Sequence, residues 1–146
     1  MSNTFPPEPT RLTRENIPKR FSEPQSTVLL VVQSLLDVLD HRDYSKIESI
    51  IVPAGGTARL RPNGLQVMSL GDLCKQLVGA PQGIEEYMYG QPRVMITDSE
   101  ELAMIWTRCR ILINGVLLSE AVNAISLHKE KGGQWKVSSV SDATIE

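Results

Sequence analysis

Asn114-Gly115 stands between two long stretches of alternating side chains, and it constrains this chain more than any other dipeptide. Both residues tolerate the positive φ that a type I′ turn needs, so the flanking stretches, 102–113 and 116–128, are expected to fold back on each other as an antiparallel hairpin. Gly132-Gly133 marks a further turn, and Gln134 to Val140 reads as the last strand. Upstream, Glu85 to Thr97 is expected to hold one or two short strands around Gly90 and Pro92. The second half of the chain is therefore a meander of strands.

The first half reads as helical. Ser22 lies three residues before Gln25, with Pro24 between them, and this is the pattern of a capping box at a helix start. Val28, Val31, Val32, Leu35, Leu36 and Leu39 follow at helical spacing, and the helix is expected to end near Asp40-His41. Asp43 caps a second, short helix carrying Ile47, Ile50 and Ile51, which Pro53 and Gly55-Gly56 break. Thr57 to Arg61 reads as a short strand and Pro62-Asn63-Gly64 as a turn. Ser69 with Asp72 opens another helix, with Leu70, Leu73, Cys74 and Leu77 inside, ending in 79–83. Helices first and antiparallel strands after make an α+β domain with helices packed on one face of a sheet. Residues 1–21, with Pro6, Pro7, Pro9 and Pro18, read as a flexible or draped arm outside the core, and 22–146 as a single domain.

The formal net charge of -2 lacks the basic footprint of a nucleic-acid binder, and no partner of that kind is expected. The longest apolar run, Val28 to Val32, is too short to span a bilayer, and 1–9 lacks the pattern of a signal peptide. The chain accordingly reads as cytoplasmic, with Cys74 and Cys109 as free thiols. His41 and His128 stand apart from any metal-ligand spacing, so no metal and no cofactor are expected.

Two stretches resemble a known family. Within 37–53, Leu39-Asp40-His41-Arg42-Asp43-Tyr44 with Ile47 and Pro53 resembles the first-helix junction of NTF2-like proteins. Ala103-Met104-Ile105-Trp106, Asn114-Gly115, Val122-Asn123, Leu127 and Gly133-Gln134-Trp135-Lys136-Val137 resemble the closing strands of fungal SnoaL-like proteins, the group of scytalone dehydratase. The resemblance covers most of 25–142. It implies a cone-shaped domain in which N-terminal helices and a curved, mostly antiparallel sheet enclose a pocket, often as a homodimer through the sheet. The same fold serves isomerases, cyclases, dehydratases and binding proteins, so it does not decide function.

By that resemblance the polar pocket residues come from the helix junction and the inward strand positions. Asp40 is placed as a pocket carboxylate and Arg42 as a group that polarises a carbonyl. Tyr44, Tyr87 and Tyr89 are candidates for substrate contact, the last two sharing one parity. On 102–113 the set Ala103, Ile105, Thr107, Cys109 and Ile111 is assigned inward, leaving Trp106, Arg108 and Arg110 on an outer, dimer-forming face. On the next strand Ser119, Ala121 and Asn123 share the pocket side. Glu120 has the opposite parity and becomes a base candidate only if a bulge turns it inward. Scytalone dehydratase uses pocket histidines that this chain lacks, which disfavours elimination by a His base.

These readings favour a cofactor-independent isomerase or cyclase, pericyclases included, acting on a lipophilic polyketide, terpenoid or alkaloid intermediate of fungal secondary metabolism. The alternatives are a dehydratase or epoxide hydrolase of the same fold, which needs two carboxyl groups facing one cavity, and a non-catalytic binding module.

Overall fold

Ser22 caps the first helix as its spacing from Gln25 predicts. In the computed structural model, which describes residues 10–80 and 83–145, the Ser22 hydroxyl accepts the Gln25 amide and the Gln25 side chain accepts the Ser22 amide at 2.8 Å. The helix α1 (Glu23–Asp40) buries Val28, Leu29, Val32, Leu35 and Leu36, then stops at His41. Arg42 follows with φ of 59°, the left-handed turn that ends many helices. Asp43 caps α2 (Tyr44–Ile47), which is shorter than expected. Ile51 lies beyond it and bridges in parallel to Val137 instead.

A hairpin comes next: β1 (Gly56–Arg61) and β2 (Gly64–Ser69). The second strand was not expected. Leu65 and Val67 are exposed at 63% and 70%, so burial never imposed the alternation by which a strand is recognised. Ser69 then caps α3 (Leu70–Val78) through the Asp72 amide. Four long strands complete the chain: β3 (Ile84–Ile96), β4 (Leu102–Ile113), β5 (Val116–Lys129) and β6 (Trp135–Ile145). The Asn114-Gly115 turn forms with both φ values positive, 49° and 81°. The region 85–97 is one strand rather than two, with an irregularity between Tyr89 and Arg93 that absorbs Gly90 and Pro92.

The sheet runs β2-β1-β6-β5-β4-β3. All neighbours are antiparallel except β1 and β6, which makes the sheet mixed. Helices α1 and α3 lie on its inner face, over a core that includes Ile105, Leu127 and Val137, each 0% exposed. The inward set on β4 is the one the alternation predicts: Ala103, Ile105, Thr107 and Cys109 are buried, and Trp106 is 54% exposed on the outer face.

Residues 10–21 drape over α1 and the β3 edge, but they also supply core. Leu12, Ile17 and Phe21 are buried, and the Leu12 amide donates to Oε1 of the buried Gln33 side chain at 3.0 Å. Prolines every few residues hid this, because no periodicity marks an irregular segment that packs. The expected Pro6, Pro7 and Pro9 arm and Pro81-Gln82 lie outside the described residues. No helix among those described is long and apolar enough to cross a membrane.

Candidate active site

A cavity of about 120 Å³ opens between α1, α3 and the inner face of the sheet. Its walls are apolar: Leu35, Leu36 and Leu39 from α1, Leu73 and Leu77 from α3, Ile84 and Ile111 from β3 and β4. Strand pairing brings four polar side chains into it. Arg59 pairs with Asp142, and Asp142 pairs with Asn123, so β1, β6 and β5 set these three in one row on the inner face. Glu86 pairs with Ile111 on the neighbouring strand and lines the same cavity beside Cys109.

The row is tied by charge. Arg59 Nε donates to Asp142 Oδ2 at 3.3 Å, and Arg61 grips the same carboxylate with both terminal amino groups, Nη2 at 3.3 Å from Oδ2. Two guanidinium groups thus share one carboxylate. Glu86 has no guanidinium on it: it is half-buried, lines the cavity and accepts from the Cys109 thiol. Burial, helped by the nearby Asp142 charge and opposed by Arg59, pushes its carboxyl up to about 7. A carboxyl that exchanges its proton near neutrality is suited to general acid–base work. Cys109 is a different case. Burial and the Glu86 charge raise its thiol well above the ordinary value, so at neutral pH it is a neutral wall. Cys74, also in the wall, is raised to about 11 by burial.

The residues expected at the site divide. Asn123 and Cys109 line the cavity. Thr107 and Ala121 face inward and are buried, outside its lining, and Ser119 on the same strand is half-buried. Asp40 is held by Arg11, with Nη2–Oδ2 at 2.7 Å, and burial still raises its carboxyl above the ordinary value. Tyr44 packs beside the core, with the Lys75 ammonium 5.2 Å from its ring centroid. Tyr87 donates to Glu85 and lies under Arg11. Tyr89 donates to Glu120, which also accepts from Arg110 at 3.1 Å, and the Arg110 guanidinium stacks on the Tyr89 ring at 4.2 Å. That cluster sits on the outer face. No bulge turns Glu120 inward, and Tyr89 with Arg110 holds its carboxylate below the usual range.

Arg42 turns away from the cavity lining. Its Nη1 donates to the Leu77 carbonyl at 2.7 Å, closing the last turn of α3. Arg42→Ala is therefore expected to lower stability by about 1.5 kcal/mol, the lower end for a hydrogen bond from a charged donor. Thermal unfolding checks this, and an unchanged Tm would contradict the capping role.

Sequence reasoning missed Glu86, Arg59 and Asp142. Counting back by twos from the inward Val94 and Ile96 reaches Met88, Glu86 and Ile84. The irregularity between Tyr89 and Arg93 inserts two extra residues on β3, which leaves that parity intact. Gly90 and Pro92 concealed the continuity.

Comparison with solved structures gives the NTF2-like fold. An NTF2-like protein with a cystatin-like fold from Novosphingobium aromaticivorans superposes with a TM-score of 0.67 at 12% identity, covering 85% of this chain and 83% of the other. A candidate dehydratase of the NTF2-like family from Streptomyces avermitilis gives 0.66 at 16% identity, covering 84% and 96%. The CaMKII hub of S. rosetta gives 0.66 at 13% identity, covering 86% and 99%. The sequence itself matches no family model and no curated protein.

Proposed function

We propose that this protein is a cofactor-independent isomerase that moves a proton within a small lipophilic carbonyl compound. The observation that carries this reading is Glu86, a carboxyl raised to about 7 in an apolar cavity opposite Arg59. In the reaction the Glu86 carboxylate takes a proton from carbon next to the carbonyl. The electron pair moves onto oxygen, where Arg59 and Asn123 donate to it, and Glu86 returns the proton one or more carbons along. Nothing is gained or lost overall. When Glu86 is ionised, its charge and that of Asp142 balance the two guanidiniums; once it takes the proton, one positive charge is left opposite an enolate of one negative charge.

Pre-formed walls hold the flexible part of the substrate in place, so that positioning supplies part of the rate. A cavity of this volume suits one ring, since an apolar cavity of roughly 150 Å³ takes up benzene. That favours a compact unit, or the reactive end of a larger polyketide or terpenoid projecting outward. Dehydration is the second reading, favoured by the second carboxylate, Asp142, and by the dehydratase likeness. Two arginines engage both oxygens of Asp142, so Glu86 would have to serve both steps.

The test uses 3-cyclohexen-1-one and related small ring ketones, followed by proton NMR in deuterated water. Conversion to the conjugated ketone with Glu86-dependent deuterium uptake is expected. Absence of both across the set would remove the isomerase reading.

The same family resemblance supports a homodimer through the outer sheet face, where Met95, Met104 and Trp106 are exposed at 70%, 37% and 54%. Trp106→Glu is expected to convert a dimer into a monomer in sedimentation equilibrium. An unchanged mass would place any interface elsewhere.

A further inference from the structure

Around the cavity one guanidinium keeps donors that no carboxylate takes. From β1 come Arg59 and Arg61, and from β6 comes Asp142, bound by both. From α1, Asp40 and Asp37 share the one guanidinium of Arg11, and the thiols of Cys74 on α3 and Cys109 on β4 are uncharged at neutral pH. Asn123 on β5 is neutral. The unspent donors are on Arg59: Arg61 gives both terminal amino groups to Asp142, while Arg59 hydrogen-bonds described residues through Nε alone. The Arg59 terminal amino groups are donors at the wall of an otherwise apolar cavity.

We infer that this cavity binds lipophilic monocarboxylates of about six carbons, the carboxylate on Arg59, the hydrocarbon against the leucines of α1 and α3 and its far end projecting from the mouth. About 120 Å³ is less than the roughly 150 Å³ that takes up benzene, so the cavity encloses only part of such a chain. The single charge follows from the one guanidinium whose terminal amino groups are unspent. A dianion would face Asp142 unbalanced, and a cation would meet Arg59 directly.

A consequence is proton linkage. The bound carboxylate repels an ionised Glu86, so ligand and proton are taken up together and binding weakens as pH rises through about 7. This inference rests on the same site as the proposed isomerase, with Glu86 and Arg59 in the roles given there, but it concerns binding without turnover.

The experiment is titration calorimetry of the full chain with hexanoate, hexan-1-ol and hexylamine, at pH 6 and pH 8 and in buffers of different ionisation enthalpy. Hexanoate is expected to bind at least about tenfold tighter than the alcohol at pH 6, the worth of one charge-assisted hydrogen bond, with little proton uptake there and uptake of nearly one proton at pH 8. Its affinity is expected to fall about tenfold by pH 8. Arg59→Met should remove the preference for the acid while the alcohol still binds, which shows the cavity intact. Glu86→Gln should keep hexanoate binding and lose its pH dependence. Equal affinity for acid and alcohol in the unaltered protein, or an acid preference that survives Arg59→Met, would overturn the inference. Failure here with Glu86-dependent ketone exchange intact would leave the isomerase reading standing, and the converse result would separate them the other way.

Discussion

Glu86→Gln is expected to lower turnover by about 10²- to 10⁴-fold, the usual worth of a positioned general base, while making the protein more stable at pH 8. The two effects have one cause. In the folded chain the Glu86 carboxyl is raised to about 7 by burial, whereas in the unfolded chain it titrates near the ordinary 4.5. Below about pH 4.5 both states are protonated and the group costs nothing. Between about 4.5 and 7 the folded state holds a proton that the unfolded state has lost, so stability falls as pH rises. Above 7 the carboxylate is charged in both states, and the folded state carries a cost of about 3 kcal/mol for enclosing it. Glutamine fills the same space without the charge, so the variant should lose that downward slope. Chemical denaturation at several pH values measures it, alongside the ketone assay. A variant as active as the parent, or one that keeps the slope, would remove Glu86 from its role.

Gly55→Ala is expected to be the most damaging single methyl in the chain. A Cβ at position 55 would lie 1.9 Å from the carbonyl oxygen of Ser138, which is backbone and not a side-chain end that can swing aside. Gly55 sits where the chain leaves the Ile51–Val137 bridge and enters β1, and its own carbonyl accepts the Leu70 amide at 2.6 Å. Relieving the overlap means separating β1 from β6 or losing the start of α3. β1 carries Arg59 and β6 carries Asp142, so the same displacement loosens the site. A loss on the order of 3 kcal/mol or more is expected, read as a drop in Tm of roughly 10 °C. Gly56→Ala is the control, because nothing lies within 4 Å of its Cβ. Equal Tm values for the two variants would contradict the close approach.

Local signals made much of this fold legible. The Ser22–Gln25 capping box, the Asp43 and Ser69 caps and the Asn114-Gly115 turn each satisfy a backbone requirement within a few residues, so the sequence displays them directly. β4 alternates because its two faces differ sharply in burial. β2 carries no such signal, since both its faces keep exposed side chains. The end of β6, Ser141-Asp142-Ala143-Thr144, has small and polar residues on both sides, and the expected strand stops before it at Val140. Yet that end brings Asp142 beside Arg59, some eighty positions earlier in the chain. The parallel β1–β6 contact that joins them is a tertiary fact, without local trace. The site was legible only as far as Asn123 and Cys109, on strands whose parity was plain. Asp40 and Arg42 were placed by resemblance at the helix junction, and here Arg11 and the Leu77 carbonyl engage them instead.

The chemistry of the cavity turns on one proton in one place. Carbon-13 NMR of the Glu86 carboxyl, assigned by its loss in Glu86→Gln, follows that proton directly from about pH 4 to pH 9. The structure predicts a midpoint near 7. A midpoint near 4.5, the value of a carboxyl in water, would mean that the cavity is open to solvent and that Glu86 is not the acid–base group.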